Sequence, residues 1–179
     1  SAFGNAEWLL QKCLREGYRP AITGASDLHL GLQGAPRAVE TFRGRFVRRL
    51  RVRDSGFGSG PVGALIADRC ERDALWTSLR ERRGYATTGD RIHLEVDAAG
   101  HSVGEVAQLA DRFDLTLTVH AQEPVERINL IVGEHLAASL LPNELDVEWT
   151  IPYDRAAMPP GRWFYFRVRQ SNWEYAWTT

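Results

Sequence analysis

The second half of the chain carries a hydrophobic pattern with a period of two residues, which is typical of β-strands with one buried face. From residue 91 onward, apolar side chains alternate with polar or outward-facing ones in five short segments, and residues 173–178 form a sixth candidate strand. The inward-facing sets are Ile92, Leu94 and Val96; Leu115, Leu117 and Val119; Ile128, Leu130 and Val132; Val147, Trp149 and Ile151; and Phe164, Phe166 and Val168. Because turn residues separate these segments, the pattern predicts an antiparallel β-sandwich. Residues 104–113 fit either a short helix or a further strand.

The first half of the chain mixes helical and strand patterns. Apolar residues recur at helical spacing over residues 5–16, and residues 18–22 then predict a short buried strand. Residues 62–67 predict another strand, and residues 68–83 predict a second helix with Asp68 as its N-cap. A helix followed at once by a strand is typical of an α/β unit.

Asp27 and His29 follow the predicted strand at residues 18–22 and are two positions apart. In an extended backbone, side chains at this spacing point the same way, so a carboxylate and an imidazole would stand side by side. Both groups suit zinc, manganese or iron, and chemistry in α/β folds gathers where strand ends meet loops. The alternative is that Asp27 caps the loop through its backbone and that His29 is an exposed loop residue.

Four segments together resemble one family of enzymes. Gly-Asn-Ala-Glu-Trp at residues 4–8 opens the first helix, and Gly-Ala-Ser-Asp-Leu-His at residues 24–29 follows the predicted strand. Arg-Asp-Ala-Leu-Trp lies at residues 72–76, and Tyr-Ala-Thr-Thr-Gly-Asp-Arg-Ile lies at residues 85–92. This combination resembles the carbaryl-hydrolase-like, CehA/McbA-type branch of the PHP metallohydrolases. The segment at residues 85–92 is the most specific part of the resemblance.

The resemblance implies an α+β fold with two domains. Residues 1–90 would be the C-terminal portion of a PHP-like metallohydrolase domain, an α/β remnant of a (βα) barrel. Residues 91–179 would be the antiparallel β-sandwich, immunoglobulin-like in kind.

The resemblance also implies a chemistry. The family uses divalent metal ions, zinc, manganese or iron, and Asp27 and His29 would be two of several ligands. Metal-activated water would then hydrolyse phosphoester or related ester or carbamate bonds. Thr87, Thr88 and Arg91 are candidates for contact with substrate. The alternative for these three residues is a structural turn in which hydroxyl groups satisfy backbone groups.

One departure from the family changes what this chain can do. The family begins with a His-x-His strand that supplies the first metal ligands, and four of the five histidines here follow the Asp-x-His motif. We therefore expect the C-terminal part of a longer hydrolase, with an incomplete metal site and no activity of its own. Its partner would be the missing N-terminal metallohydrolase domain, covering the outward-facing Trp163 and Tyr165. The alternative is a non-catalytic β-sandwich module that docks on a catalytic domain.

Composition narrows the remaining function classes. The net charge is −1. The sequence has no run of 18 apolar residues, so it predicts no membrane-spanning helix. Cys13 and Cys70 form no CxxC motif and favour a reducing, cytoplasmic compartment. Six arginines between Arg43 and Arg53 suggest a patch for anions or nucleic acid. We interpret them instead as a solvated loop, because interleaved aromatic residues that stack bases are lacking apart from Phe42 and Phe46.

Exposed edges of a partial barrel would allow a homodimer.

Overall fold

The computed structural model describes residues 7–24 and 61–178, which form two helices and eight strands. In chain order these elements are α1 (Glu7–Arg15), β1 (Val62–Leu65), α2 (Arg72–Arg80), β2 (Gly84–Thr87), β3 (His93–Ala98), β4 (Arg112–Val132), β5 (His135–Leu140), β6 (Glu144–Asp154), β7 (Phe164–Gln170) and β8 (Tyr175–Thr178). The eight strands belong to one antiparallel sheet, so the prediction of antiparallel β structure is confirmed. In this described part of the chain, neither helix is long and apolar enough to cross a membrane.

Strand β4 organises the sheet because four other strands pair with it. One edge of β4 pairs with β5 and then with β6, from Val132 opposite His135 to Arg112 opposite Asp154. The other edge pairs with β3 over its first half and with β7 over its second half. From β7 the sheet continues through β8 and β2 to β1.

The register of β4 shifts at two places near its middle. Its pairing with β6 shifts between His120 and Val125, and its pairing with β7 shifts between Val125 and Arg127. Such β-bulges bend a strand and increase its twist, so the sheet curls around its apolar face. The sequence predicted two separate strands here, around residues 115–119 and 128–132. The structure joins them into one strand of 21 residues, because the polar stretch between them is accommodated at the bulges.

The apolar core lies on the concave face of this sheet and follows the predicted alternation. The inward-facing residues of both halves of β4 are fully or almost fully buried: Leu115, Leu117, Val119, Ile128, Leu130 and Val132. Leu94 and Val96 from β3 and Phe166 and Val168 from β7 join the same cluster. The period of two therefore identified the core of the second half correctly.

The prediction of a buried strand over residues 18–22 is wrong. These residues form neither helix nor strand, and the Tyr18 side chain is 68% exposed. Pro20 removes a backbone donor that a strand would need. Ile22 packs inward, against the cluster of Ile131, Tyr165 and Trp177.

The elements at residues 62–91 differ in extent from their predictions. Helix α2 is shorter than residues 68–83, and Glu71 rather than Asp68 takes its N-cap position, without a side-chain hydrogen bond. The segment that holds Thr87, Thr88 and Arg91, for which a structural turn was the alternative interpretation, begins as strand β2, which is buried at all four positions. Strand β2 pairs with β1 on one side and with β8 on the other, which explains its burial. The domain boundary after residue 90 stays a prediction.

Residues 104–111 form neither the helix nor the strand that the sequence allowed. Gly104 has a φ of +79°, and a Cβ atom there would lie 2.4 Å from the carbonyl oxygen of Arg82. The Arg82 guanidinium also donates a hydrogen bond of 3.3 Å to the Gly104 carbonyl. This close approach holds the segment before β4 against the residues that follow α2.

We expect Gly104→Ala to destabilise the protein more than Gly100→Ala. Both glycines have a positive φ, but a Cβ at Gly100 would meet nothing within 4 Å. Gly100→Ala should therefore cost about 1–2 kcal/mol from backbone strain alone. Gly104→Ala should cost a further 1–3 kcal/mol, roughly, from overpacking. Urea unfolding of both variants measures the difference, and equal losses would contradict the close approach.

Candidate functional site

Asp27 and His29 lie outside the described residues, as do the arginines between Arg43 and Arg53, but the chain that leads to Asp27 is placed. A Cβ atom at Gly24 would lie 2.6–2.7 Å from three backbone atoms of Val62. A Cβ atom at Gly63 would lie 2.6 Å from Oγ1 of Thr23. The backbone just before the Asp-x-His motif is therefore packed against β1, the last strand at this end of the sheet.

Apolar side chains are exposed around the same end of the sheet. Leu65 of β1 and Leu79 of α2 line one cavity of about 120 Å³ and are both exposed. Val62 and Trp76 on the same two elements are also exposed, and we call these four residues the β1–α2 surface. The only buried residue of α2 is Ser78, whose hydroxyl lies 2.6 Å from the Ile66 carbonyl oxygen. Helix α2 thus docks through a serine and the half-buried Leu75, and leaves Trp76 and Leu79 exposed.

Thr87, Thr88 and Arg91 are near in sequence, but their side chains do not meet in one pocket. Thr87 is buried in β2, and its hydroxyl has no hydrogen-bond partner in the described structure. Thr88 pairs with Tyr175: its hydroxyl accepts a hydrogen bond of 2.8 Å from the Tyr175 backbone N–H. Arg91 is exposed, and its backbone N–H donates to a side-chain oxygen of Gln122 at 3.0 Å. Contact of these residues with substrate stays a prediction.

Asp90, within the same segment, anchors a network that the sequence did not predict. One oxygen of Asp90 accepts hydrogen bonds of 2.7 Å from the side-chain amides of Gln170 and Asn172. Gln170 is fully buried, and its own oxygen accepts from the backbone N–H groups of Gln122 and Glu123 at 3.0 and 3.1 Å. The segment at residues 85–92 therefore ties together, through Asp90, the connection before β3, the bulges of β4 and the turn after β7.

Three of the four described histidines, His93, His101 and His120, pair with carboxylates on the surface. His93 and His120 face each other across β3 and β4, with ring centroids 5.8 Å apart. The His120 ring lies 2.7 Å from the Asp146 carboxylate. His101 hydrogen-bonds Glu105, and this contact lowers the pKa of that carboxyl group. In residues 7–24 and 61–178, no group of three or more His, Cys, Asp or Glu side chains could hold a metal ion.

Helix α1 covers the convex face of the sheet through a polar contact. Glu7, whose side chain is 10% exposed, accepts a hydrogen bond of 2.6 Å from the Tyr165 hydroxyl. It also accepts two from the Arg167 guanidinium, at 2.9 and 3.0 Å, while Gln11 donates to the Tyr165 hydroxyl at 2.9 Å. Burial, followed by the Glu7 carboxylate, raises the pKa of Tyr165. Tyr165 is 1% exposed, so this ring needs no second domain to cover it, contrary to the sequence-based interpretation.

Beside α1, the convex face carries two rows of polar and aromatic residues that strand pairing places side by side. One row across β4, β7 and β8 is Arg127, Arg169 and Tyr175, and the next is Asn129, Arg167 and Trp177. A cavity of about 200 Å³ is lined by Arg127, Asn129, Arg167, Arg169 and Tyr175, and we call it the arginine cavity. The sequence signal was the spacing of Arg167 and Arg169, which puts both on one strand face. The pairing that brings Arg127 opposite Arg169 could not be read from it.

The partners of the arginines differ. Arg169 forms an ion pair with Glu126, and its guanidinium lies 4.8 Å from the Trp173 ring centroid. Arg167 is held by Glu7 and by Asn129, whose oxygen accepts from the guanidinium at 2.9 Å when its amide nitrogen faces Ser139. We assign this amide orientation because the opposite one would set the amide nitrogen against the guanidinium. Two of the arginines that line the arginine cavity, Arg167 and Arg169, are therefore paired with carboxylates.

Comparison with known proteins identified no relative. No protein-family model matched the chain, and searches of curated proteins and of solved structures found no similar protein.

We expect Gln170→Leu to destabilise the protein by about 2–5 kcal/mol, because it strands the backbone N–H groups of Gln122 and Glu123 and removes a donor to Asp90. Urea unfolding gives the value. Glu148→Ala, an exposed change on β6, is the control and should stay within about 0.5 kcal/mol of the parent. A Gln170→Leu loss no larger than that of the control would show that the network is dispensable.

We expect stability to fall at alkaline pH and to fall less steeply in Tyr165→Phe. The pKa of Tyr165 is raised in the folded protein, so above about pH 10 the unfolded state loses this proton first. Unfolding is then favoured as the pH rises. Unfolding free energies measured at pH 8 and pH 11 give the slope. Tyr18→Phe is the control, because Tyr18 is exposed. Parallel slopes for the parent and Tyr165→Phe would contradict the buried, hydrogen-bonded tyrosine.

Proposed function

We propose that this chain is the C-terminal part of a PHP-type, metal-dependent hydrolase of phosphoester or related ester or carbamate bonds. In this proposal, residues 1–90 are the remnant of the barrel and residues 91–179 are a sandwich-like domain that supports it. Asp27 and His29 supply two metal ligands, and the N-terminal domain supplies the others. The bound metal provides activated water. The described residues of this chain provide the scaffold.

One observation supports the proposal most directly. The backbone at Gly24 is packed against β1, the last strand at one end of the described sheet, and Asp27 and His29 follow three and five residues later in the chain. Among the described strands β1 pairs with β2 alone, and an edge strand invites pairing with further strands. The exposed side chains of Leu65 and Leu79 favour coverage by more protein. In this proposal, a second domain covers that end of the sheet and completes the ligand set that Asp27 and His29 begin.

The test compares the isolated chain with the uninterrupted protein encoded by its reading frame. The isolated chain should release no p-nitrophenolate from bis(p-nitrophenyl) phosphate with Mn²⁺ or Zn²⁺, since two ligands leave an ion mostly hydrated. The uninterrupted protein should be active, and Asp27→Ala or His29→Ala should lower its bound metal and its turnover by about tenfold or more. His135→Ala, an exposed histidine on β5, is the control and should change neither.

Two results would contradict this proposal. One is turnover by the isolated chain that is lost in Asp27→Ala. The other is an uninterrupted protein whose metal content and turnover do not change in Asp27→Ala and His29→Ala.

The second candidate function is a non-catalytic module that docks on a catalytic domain, and the exposed β1–α2 surface favours it. In that case Leu65→Asp and Leu79→Asp would separate the module from its catalytic partner, while Asp27→Ala would leave metal binding intact. Size-exclusion chromatography of the isolated chain also reports whether the same surface forms a homodimer.

A further inference from the structure

We propose that the arginine cavity binds a small oxyanion, a phosphate or carboxylate group of a soluble ligand. The site lies on the convex face of the sheet between β4, β7 and β8, and it does not involve Asp27 or His29. The inference is therefore independent of the hydrolase proposal.

The first argument is charge. Arg127 pairs directly with Arg169 across β4 and β7, and like charges directly opposite each other on neighbouring strands are destabilising. Three guanidinium groups line the cavity, and two carboxylates accompany them: Glu7 on Arg167 and Glu126 on Arg169. Among the described residues, Arg127 has no ion pair or hydrogen bond of its side chain. Within residues 7–24 and 61–178, the charge of Arg127 therefore has no side-chain partner, and its exposed side chain is open to a ligand.

The second argument is hydrogen bonding. The Nε atom of Arg169 is buried and makes no hydrogen bond in the described structure, which is a costly arrangement for a cationic donor. The neighbouring Tyr175 hydroxyl interacts with the Arg169 side chain and raises the pKa of Arg169. A ligand oxygen would satisfy such a donor, and arginine forks match the oxygens of carboxylate and phosphate groups. The amide of Asn129 and the hydroxyl of Tyr175 lie on the same walls and add polar groups of both kinds.

The third argument is the size and rigidity of the recess. Its volume of about 200 Å³ compares with about 30 Å³ for one water molecule in the liquid, so a phosphate or carboxylate group fits. Arg167 is fixed by Glu7 and Asn129, and Tyr175 is stacked on Trp177 with centroids 5.5 Å apart. Walls that are already ordered lose little entropy when a ligand binds.

The test uses inorganic phosphate and succinate as probes, at constant ionic strength set with chloride. Isothermal titration calorimetry should detect binding of at least one probe to the full chain. Arg127→Gln should weaken that binding by about tenfold or more, the loss expected for one hydrogen bond to a charged group. Arg112→Gln makes the same change of charge on the same strand at an exposed position, and it should stay within about twofold of the parent.

A variant that is expected to bind more tightly separates loss of the ligand contact from loss of the fold, because a damaged fold would not raise affinity. Glu126→Gln removes the carboxylate that competes for Arg169, so it should bind the same probe more tightly than the parent. The ¹⁵N-labelled Nε–Hε resonance of Arg169 should shift on addition of the probe. Circular dichroism verifies that each variant is folded.

Each outcome decides the proposal. Binding of one probe alone, dependent on Arg127, supports the site and identifies its ligand as a phosphate or a carboxylate. Absence of binding by both probes, equal losses in Arg127→Gln and Arg112→Gln, or unchanged affinity in Glu126→Gln would overturn it. Loss of hydrolase activity in Asp27→Ala has no bearing on this result, so failure of either proposal can be told from failure of the other.

Discussion

The fold depends on how the backbone is satisfied where β4 bends. Between His120 and Val125 the pairing with β6 is interrupted, so backbone groups there need other partners. The buried side chain of Gln170 takes two of them, the N–H groups of Gln122 and Glu123. The Ser171 N–H donates to the Pro124 carbonyl at 2.8 Å, and the Asn143 N–H donates to the Val125 carbonyl at 2.9 Å. One buried amide and two loop contacts thus replace the missing ladder, which lets a single strand serve both halves of a curled sheet.

The convex face of the sheet is organised by a second polar centre, the Glu7 carboxylate. A carboxylate that is 10% exposed is expensive unless it is fully hydrogen-bonded, and Glu7 receives bonds from Tyr165, Arg167 and the Trp177 indole. The helix that carries it has no fully buried residue, and Leu9 remains exposed. Hydrogen bonding, more than apolar burial, therefore fixes the position of α1. The same carboxylate neutralises Arg167. The neighbouring row, which contains Arg127 and Arg169, is then the polar part of the convex face.

The parts of the fold that the sequence revealed are those governed by local periodicity. The alternation in β3, β4, β6 and β7 identified the core, because each inward residue must be apolar whichever strand lies next to it. The predictions that were wrong concern segments whose conformation depends on which strands pair with them. Residues 85–87 look like the start of a turn because Thr-Thr-Gly-Asp occupies residues 87–90, yet pairing with β1 and β8 makes them a buried strand. Residues 18–22 look like a strand, yet no strand pairs with them in the described structure. Strand neighbours are set by long-range topology, which a single sequence does not display.

The candidate sites follow the same division. A pair such as Asp27 and His29 is visible in a sequence because its members are adjacent, so spacing alone suggests shared chemistry. The arginine cavity was invisible because its members come from three strands and meet only through register: 127 with 169, 129 with 167, and 169 with 175. That register depends in turn on the bulge at Glu126. Val125 pairs with Gln170 and Arg127 pairs with Arg169, so Glu126 is an extra residue on β4. If the pairing continued without this extra residue, Arg127 would not lie opposite Arg169. The bend that lets β4 pair in both halves of the sheet is thus also what places Arg127 in the arginine cavity.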